Sequence, residues 1–333
     1  MKSLRFDILK IFYLTGHFLD YALVPRWIYR MRRESILKHL SAEEWQEVER
    51  RVAYYSRIDG KQQLEDGVPV CEFKFPFRQK RRFTTYFFDL YDVVKYFEGE
   101  NRFRFIFGDV THIPDEPTFV KSRPITVNDR NANAVLLKLN KMRHYGLMVD
   151  NDIPFSEKKD MLVARTTWAN SSSQRRALYK LYWDHPLCDV GKTRIEQDED
   201  LPQTVKGYLS VRQQLQYKFI ACVEGVDVAT NLKWVMSSNS IAVSPPMKFE
   251  TWFMEGTLIA DYHYIEVKSD FSDLIEKLRY YIAHPVEAQA IVQHAHEFVS
   301  CFKNKRLERA TQIVVAQRYF GITNFGHIVK HSL

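Results

Sequence analysis

The sequence is poor in glycine and cysteine and contains no long apolar run. Its 333 residues include 12 glycines and four cysteines, and neither a CxxC pair nor an HExxH motif occurs. Widely spaced cysteines predict neither a zinc site nor a disulfide framework. We therefore expect a reducing, cytoplasmic compartment and no bound metal or other cofactor.

The composition otherwise indicates a folded protein with an anionic partner. Apolar residues make up 45% of the chain and charged residues 27%, a balance that supports two packed domains. The net charge of +7 favours a nucleotide, a nucleic acid or a phosphorylated membrane surface. Because the basic residues are spread among 41 acidic ones, we expect no nucleic acid partner.

Residues 1–33 combine long apolar side chains with Trp27 and the basic cluster Arg26, Arg30, Arg32 and Arg33. The longest uncharged stretch in this segment is 11–19, well below the ~20 residues that span a bilayer. The segment contains no small-residue cleavage site, so we expect no secretory signal. The segment is therefore interpreted as amphipathic and basic, and it either lies on a membrane or packs on its domain.

Strand and helix patterns alternate along most of the chain. The predicted strands are 70–77, 101–110, 119–123, 161–165, 187–190, 218–223, 240–244 and 263–267. The predicted helices are 43–55, 131–144, a helix that ends near Trp183, 228–238, 271–283 and 286–302. This alternation is typical of an α/β fold with parallel sheets covered by helices, and the polar segment 151–159 is the linker candidate.

Several blocks of the sequence resemble glycosyltransferase family 90, most closely its bacterial lipopolysaccharide branch. The central block, 217–244, has a strand, a turn at Gly225, a helix with Lys233 and a second strand. The other matching blocks are 108–125, 131–145, 153–166, 248–256 and 264–299, in the family's order. The resemblance covers roughly residues 70 to 302.

The resemblance implies a GT-B type α/β fold, in which two Rossmann-like domains face a cleft. It implies an N-terminal acceptor-side domain over 1–152 and a C-terminal nucleotide-sugar-binding domain over 153–302, followed by a helical tail over 303–333 that packs back on the N-terminal domain. It also implies an inverting, metal-independent enzyme with a UDP-sugar donor. The expected acceptor is the lipopolysaccharide core or a related surface glycan.

Sugar transfer needs a base that takes the proton of the acceptor hydroxyl. Asp109 follows a predicted buried strand and matches the family's acidic position, so we predict that it is this base. His112 is the alternative base or an acceptor contact. Lys121 and Arg123, at the end of another predicted strand, are expected to contact an acidic acceptor.

The departing diphosphate needs positive charge or oriented N–H groups. Arg165, with Arg175 or Arg176, matches the family's Arg-Gly-Ser turn and the arginine that follows it, although Thr166 stands where the family has glycine. Further donor contacts are expected from serines at a helix start, from the Gly225 turn and its helix, and from a ribose-binding carboxylate. These residues are Ser172, Ser173, Gly225, Asp227, Asn231, Lys233 and Glu250. Glu224 and Asn231 replace arginines of the animal members.

Two other functions remain open from the residues alone. A metal-dependent GT-A transferase would use an Asp-x-Asp pattern, which occurs at 150–152 and, as Asp-Glu-Asp, at 198–200. A non-catalytic protein that binds membrane surfaces would agree with the basic cluster at the N-terminus and with a second basic cluster at 78–82.

Overall fold

The structure is a computed structural model that describes residues 4–60, 62, 64, 66–76, 83–126, 132–167, 173–194 and 202–324. The helices are α1 Leu4–Leu23, α2 Arg26–Lys38, α3 Ala42–Tyr55, α4 Thr84–Val94, α5 Lys141–Tyr145, α6 Ser173–Tyr182, α7 Val211–Gln214, α8 Leu232–Met236, α9 Leu274–Ala283, α10 Pro285–Ser300 and α11 Lys305–Thr323. The strands are β1 Val68–Pro69, β2 Arg102–Phe103, β3 Phe105–Ile106, β4 Thr118–Val120, β5 Ser122–Pro124, β6 Ala134–Leu136, β7 Lys159–Thr166, β8 Cys188–Lys192, β9 Tyr217–Ala221, β10 Ile241–Ser244, β11 Phe249–Thr251 and β12 Ile265–Glu266.

The chain divides into two compact units. The first takes Met1–Leu9, Arg143–Lys248 and Met254–Cys301, and the second takes Lys10–Met142, Phe249–Phe253 and Phe302–Leu333. The chain therefore passes between the units more than once, and the short segment 249–253 belongs with residues far from it in sequence.

The first unit is built on a five-stranded sheet of order β12-β10-β9-β7-β8, in which every neighbouring pair is parallel. All residues of β9 and β10 are buried, as expected for strands that are covered on both faces. Side chains of the strands pack with those of α6, α9 and α10 in one apolar core. The α/β fold with a parallel sheet, predicted from the alternation of strands and helices, is confirmed.

The second unit contains a smaller parallel sheet of order β3-β4-β6. Two antiparallel pairs, β1 with β2 and β5 with β11, accompany it. The capping box between Ser41 and Glu44 begins α3, and α11 packs on α3 and α4. The Tyr319 hydroxyl of α11 donates to the Pro117 carbonyl at 2.7 Å, so this last helix is bonded to the start of β4.

Two of the predicted elements are wrong, and the predicted strands 101–110 and 119–123 are each divided into two short strands that lie in different sheets. The predicted helix 131–144 is instead β6 and the short α5, because the fully buried Val135 and Leu136 pair with β4. An apolar run of this length fits a helix stripe and a buried strand equally well, so periodicity could not distinguish them. The predicted strand 70–77 is a turn over 70–72 that follows β1, and residues 73–76, where the described part of this segment ends, belong to no helix or strand.

Candidate functional site

The carboxyl ends of the parallel strands in the first unit lie along one edge of its sheet, where α/β folds bind their ligands. Thr166 ends β7 at this edge, and its N–H donates to the Tyr179 hydroxyl of α6 at 3.1 Å. Asn231 donates through Nδ2 to the carbonyl of Ala221, the last residue of β9, at 2.9 Å. Side-chain bonds therefore hold the segments after β7 and β9 in defined positions.

Arg175 connects the ends of the two central strands. From α6 its Nη1 donates to the Thr167 carbonyl at 2.8 Å, and its Nη2 donates to the Val223 carbonyl at 3.0 Å. Gly225 makes room for this guanidinium, because a Cβ on Gly225 would lie 2.9 Å from Nη2. The arginine and the glycine that the sequence assigned to the donor are therefore neighbours at this edge.

The first turn of α6 carries the other predicted diphosphate contacts. Ser173 is its first residue and is exposed, and so is Arg176. Ser172 lies outside the described residues. A helix N-terminus offers backbone N–H groups and partial positive charge to an anion, and the adjacent arginines add full charges.

Arg165 turns back from the edge over the face of the sheet. Its Nη2 donates to Asp189 Oδ1 at 2.6 Å, and its Nη1 donates to the Asp189 carbonyl at 2.6 Å. Although burial alone would raise the pKa of Asp189, hydrogen bonds from Tyr217 and Arg165 hold it below its usual value. The carboxylate therefore stays charged beside Arg165 and neutralises much of the positive charge that the sequence assigned to a diphosphate.

Lys233 and Asp227 are interior residues of the first unit. Lys233 is fully buried in α8, and its Nζ donates to the equally buried Glu255 at 2.6 Å. Asp227 is 4% exposed, and its carbonyl accepts from the Gly225 N–H at 3.1 Å, which closes the turn after β9. The donor roles predicted for both residues stay predictions.

Asp109 and Lys121 meet at the carboxyl edge of the small sheet in the second unit. Asp109 follows β3, and Lys121 follows the parallel neighbour β4. Lys121 Nζ donates to Asp109 Oδ1 at 2.5 Å, with 3% of the lysine side chain exposed and 32% of the aspartate. The pair presents an accessible carboxylate whose orientation is set by a buried lysine.

The backbone around Asp109 is held in place on both sides. Gly108 has φ +107°, a conformation that L side chains rarely adopt, so a glycine is required immediately before Asp109. On the other side, the Val110 N–H donates to the Ser122 hydroxyl of β5 at 3.1 Å. His112, the alternative base, is exposed in the loop that follows.

Arg123 and Glu250, predicted for acceptor and donor respectively, form one ion pair inside the second unit. Arg123 Nε donates to Glu250 Oε1 at 2.6 Å, and the two side chains are 0% and 2% exposed. Arg123 also donates to the carbonyls of Tyr54 and Ala134 at 2.7 and 3.0 Å, and burial lowers its pKa. The pair links β5, β11 and the end of α3, and both predicted ligand roles stay predictions.

Of the two Asp-x-Asp patterns, only 150–152 lies within the described residues. Asp152 Oδ1 accepts from the Ile153 N–H, and its Oδ2 accepts from Lys158 Nζ and the Asn239 N–H, all at 2.8–2.9 Å. This carboxylate therefore holds the segment before β7 in place. The second pattern, 198–200, lies outside the described residues. Within the described ranges, no group of three or more His, Cys, Asp or Glu side chains could hold a metal ion.

Sequence reasoning missed the partners of the predicted residues. Asp189, Tyr179, Glu255 and Tyr54 all bond to residues of the predicted site or to their neighbours. Asp189 carries the one local signal that could have been used, since an acidic residue inside an apolar strand needs a partner. The other three are ordinary residues for their elements, and the sequence around them indicates no role.

Comparison with known proteins shows the family to which the chain belongs. The model of glycosyl transferase family 90 matches residues 149–308, which include the parallel sheet of the first unit. O-glucosyltransferase LpsA of Dichelobacter nodosus is 40% identical over 305 residues, covering 90% of this chain and 92% of that protein. Uncharacterized protein 035R of Invertebrate iridescent virus 3 is 33% identical over 147 residues, covering 39% of this chain and 13% of that protein. With a relative this similar over almost its whole length, the chain belongs to glycosyltransferase family 90.

Proposed function

We propose that this glycosyltransferase moves a sugar from a UDP-sugar to the lipopolysaccharide core or a related surface glycan, with inversion at the anomeric carbon. The observation that carries the proposal is the accessible Asp109 carboxylate, oriented by the buried Lys121 at a strand end. Such a carboxylate suits a general base for an acceptor hydroxyl. The 40% identity to a protein named as an O-glucosyltransferase supports transfer to oxygen.

The proposed step needs one proton acceptor and one leaving group. The acceptor oxygen forms a bond to the anomeric carbon while its proton passes to Asp109. The proton goes to Oδ2 of this carboxylate, because Oδ1 is bonded to Lys121. The bond from the anomeric carbon to the diphosphate breaks, and its electron pair leaves with UDP. Attack from the opposite side of the ring accounts for inversion, through a transition state of oxocarbenium character.

For the donor, we propose that Arg175 and Arg176 receive the diphosphate together with Ser173 at the N-terminus of α6 and with Ser172, which lies outside the described residues. Arg175 is the leading candidate because its guanidinium already bridges the ends of β7 and β9 beside Gly225. Asn231, immediately before α8, contributes an amide near the same edge, where it is bonded to the end of β9. Arg165, Lys233 and Glu250 each pair with a residue of opposite charge, and Asp227 is buried in the turn after β9, so we assign them the support of these segments.

For the acceptor, we propose that His112 contacts the glycan and that the buried Lys121 acts on it through Asp109, while Arg123 fixes β5. The GT-B arrangement that the resemblance implies, with no metal or other cofactor, is part of this proposal. The proposal also includes a location on the inner face of the cytoplasmic membrane, where lipid-linked glycan would be the substrate. No nucleic acid takes part.

The substitution Asp109→Asn tests the proposal most directly. It keeps the size of the side chain and removes the proton acceptor, so we expect transfer from the UDP-sugar that serves as donor to fall by about a hundredfold or more. UDP affinity should be unchanged, because Asp109 belongs to the second unit and the proposed diphosphate contacts belong to the first. Radiolabelled sugar transfer and UDP titration calorimetry measure the two quantities.

Asp115→Asn is the matched control, since Asp115 is an exposed aspartate in the same loop region. It should transfer sugar at the rate of the unsubstituted protein. Near-normal transfer by Asp109→Asn would remove Asp109 as the base. Absence of transfer from every UDP-sugar tried, with intact protein, would overturn the donor assignment.

A further inference from the structure

Helices α1 and α2 expose several large apolar side chains in the second unit. Six large apolar side chains from Ile11 to Met31 each expose between 54% and 72% of their surface. We call them the α1–α2 apolar face: Ile11, Phe12, Leu19, Leu23, Trp27 and Met31. Single exposed apolar residues are ordinary, but several of them on two consecutive helices indicate a contact surface.

The exposure of this face follows from the way α1 is docked. The side of α1 that faces α4 is well bonded, because Tyr13 donates to Asp89 and His17 lies 2.9 Å from Asp92. The rings of Phe18 and Tyr21 pack edge-on against Phe88 and Tyr91 of the same helix. Phe12, Leu19 and Leu23 have the helical spacing of one stripe on the other side of α1. That stripe is therefore exposed because the helix is firmly held on its opposite face.

The surroundings of the face are strongly basic. Helix α2 carries five basic residues, Arg26, Arg30, Arg32, Arg33 and Lys38, and a single acidic one, Glu34. Arg30, Arg32 and Lys38 are exposed, and Arg30 pairs with Glu98. A cavity of about 340 Å³ opens beside Leu23, and its lining includes Arg26 and Lys74. Cations around an apolar surface match a layer of anionic headgroups above acyl chains.

A second copy of this chain fits the face less well than a lipid surface does. Two such faces in contact would bring two basic α2 helices together, and like charges repel across an interface. Among the described residues, no helix is long and apolar enough to cross a membrane. We therefore infer that the α1–α2 apolar face docks in the interfacial layer of an anionic membrane. The inference rests on the proposed function in one respect: a lipid-linked acceptor would explain why the enzyme docks at the membrane.

Vesicle co-sedimentation of the full chain tests this docking. The vesicles contain phosphatidylcholine with about one third phosphatidylglycerol, and pure phosphatidylcholine serves for comparison. The combined variant Phe12→Ser, Leu23→Ser and Trp27→Ser should bind the anionic vesicles at least about tenfold more weakly, because each change removes an apolar side chain from the lipid contact. Binding of the unsubstituted chain should weaken with added salt and on pure phosphatidylcholine.

The matched control places the same number of serine substitutions at exposed apolar residues of the first unit: Leu181→Ser, Ile259→Ser and Val286→Ser. It should bind vesicles like the unsubstituted chain. Both variants change exposed side chains, and equal melting temperatures would establish that both are folded. Equal losses in the two variants, or full binding by the first, would overturn the inference. The inference would also be overturned if the unsubstituted chain does not bind vesicles but forms a dimer in light scattering, and the first variant abolishes that dimer.

The assay contains neither donor nor acceptor, so its result is independent of the transfer reaction. Vesicle binding without sugar transfer would contradict the proposed function and leave the docking surface supported. Transfer to a water-soluble acceptor without vesicle binding would support the function and contradict the docking surface.

Discussion

At the scale of single residues, the candidate site depends on close approaches that only particular side chains allow. Gly225 is such a position, since it admits the guanidinium of Arg175 against the turn after β9. Gly108 is another, because its positive φ sets the direction of the chain into Asp109. These glycines matter for the placement of a neighbour, and neither is expected to contact a substrate through a side chain.

We expect Gly225→Ala to weaken UDP binding about tenfold, because the new Cβ would displace the Arg175 guanidinium and its charge-assisted hydrogen bonds. The fold should tolerate the change, since the displaced group is the end of a flexible side chain. Titration calorimetry with UDP measures the loss. The control Gly321→Ala on α11, whose Cβ would meet nothing within 4 Å, should bind UDP normally. Unchanged affinity in Gly225→Ala would remove Arg175 from the diphosphate site.

At the scale of elements, buried polar clusters hold helices of the second unit together. Glu308 of α11 accepts from Arg51 of α3 and from Lys138, both at 2.5 Å, and from Trp252 Nε1 at 2.9 Å. One carboxylate thus joins the last helix to α3, to the segment after β6 and to the segment after β11. Its removal would leave two buried cations without their shared partner.

Glu308→Ala should therefore lower the free energy of unfolding by about 3–5 kcal/mol, the usual cost of breaking a buried ion pair. Urea denaturation monitored by tryptophan fluorescence measures this difference. Glu49→Ala, at an exposed position on α3, should change it by about 0.5 kcal/mol or less. A loss in Glu308→Ala as small as in the control would show that the cluster adds little to stability.

The attachment of α1 to α4 should depend on pH through His17. Its Nδ1 lies 2.8 Å from the Tyr13 carbonyl and its Nε2 lies 2.9 Å from Asp92, so the protonated ring donates to both. Burial alone would lower the pKa of His17, but the hydrogen bond and charge of Asp92 raise it above its usual value. A raised folded-state pKa stabilises fully below the unfolded value of about 6.5, and this stabilisation is lost as the pH rises through the folded value.

As the pH rises above about 6.5, the chain should accordingly lose more stability than the variant His17→Gln, which cannot take up the proton. Chemical denaturation at a series of pH values gives both curves. His39→Gln, at an exposed histidine of the same unit, should reproduce the curve of the unsubstituted chain. Parallel curves for the chain and for His17→Gln would show that His17 carries no such pH dependence.

At the scale of the whole molecule, the two units carry different parts of the proposed reaction. The larger parallel sheet holds the predicted phosphate contacts, and the smaller one holds the predicted base. Each group lies at the carboxyl ends of parallel strands, which is the general binding position in α/β folds. This common position supports a substrate on each unit.

We expect UDP to raise the melting temperature by several degrees, since ligand at ~100 times its dissociation constant adds about 2.7 kcal/mol. The shift should be specific for UDP over GDP, CMP and ADP, and treatment with EDTA should leave it unchanged. Differential scanning fluorimetry measures the melting temperature with each nucleotide, with and without EDTA. A shift that appears only with Mn²⁺ would favour the Asp-x-Asp alternative, and no shift with any nucleotide would favour a non-catalytic membrane-binding protein.

The sequence by itself determined the family through its matching blocks. It also determined the α/β class and most strands of the larger sheet, because an apolar run between turn residues is a local signal. It also located Asp109 after a strand, since that strand is encoded within ten residues. Only the tertiary structure decided that 134–136 is a strand, because its pairing with β4 lies outside the segment. The same holds for the pairing of Arg123 with Glu250 and for the turn of Arg165 toward Asp189. A buried charge takes the partner that the packed chain brings within reach, and no local pattern in the sequence specifies that partner.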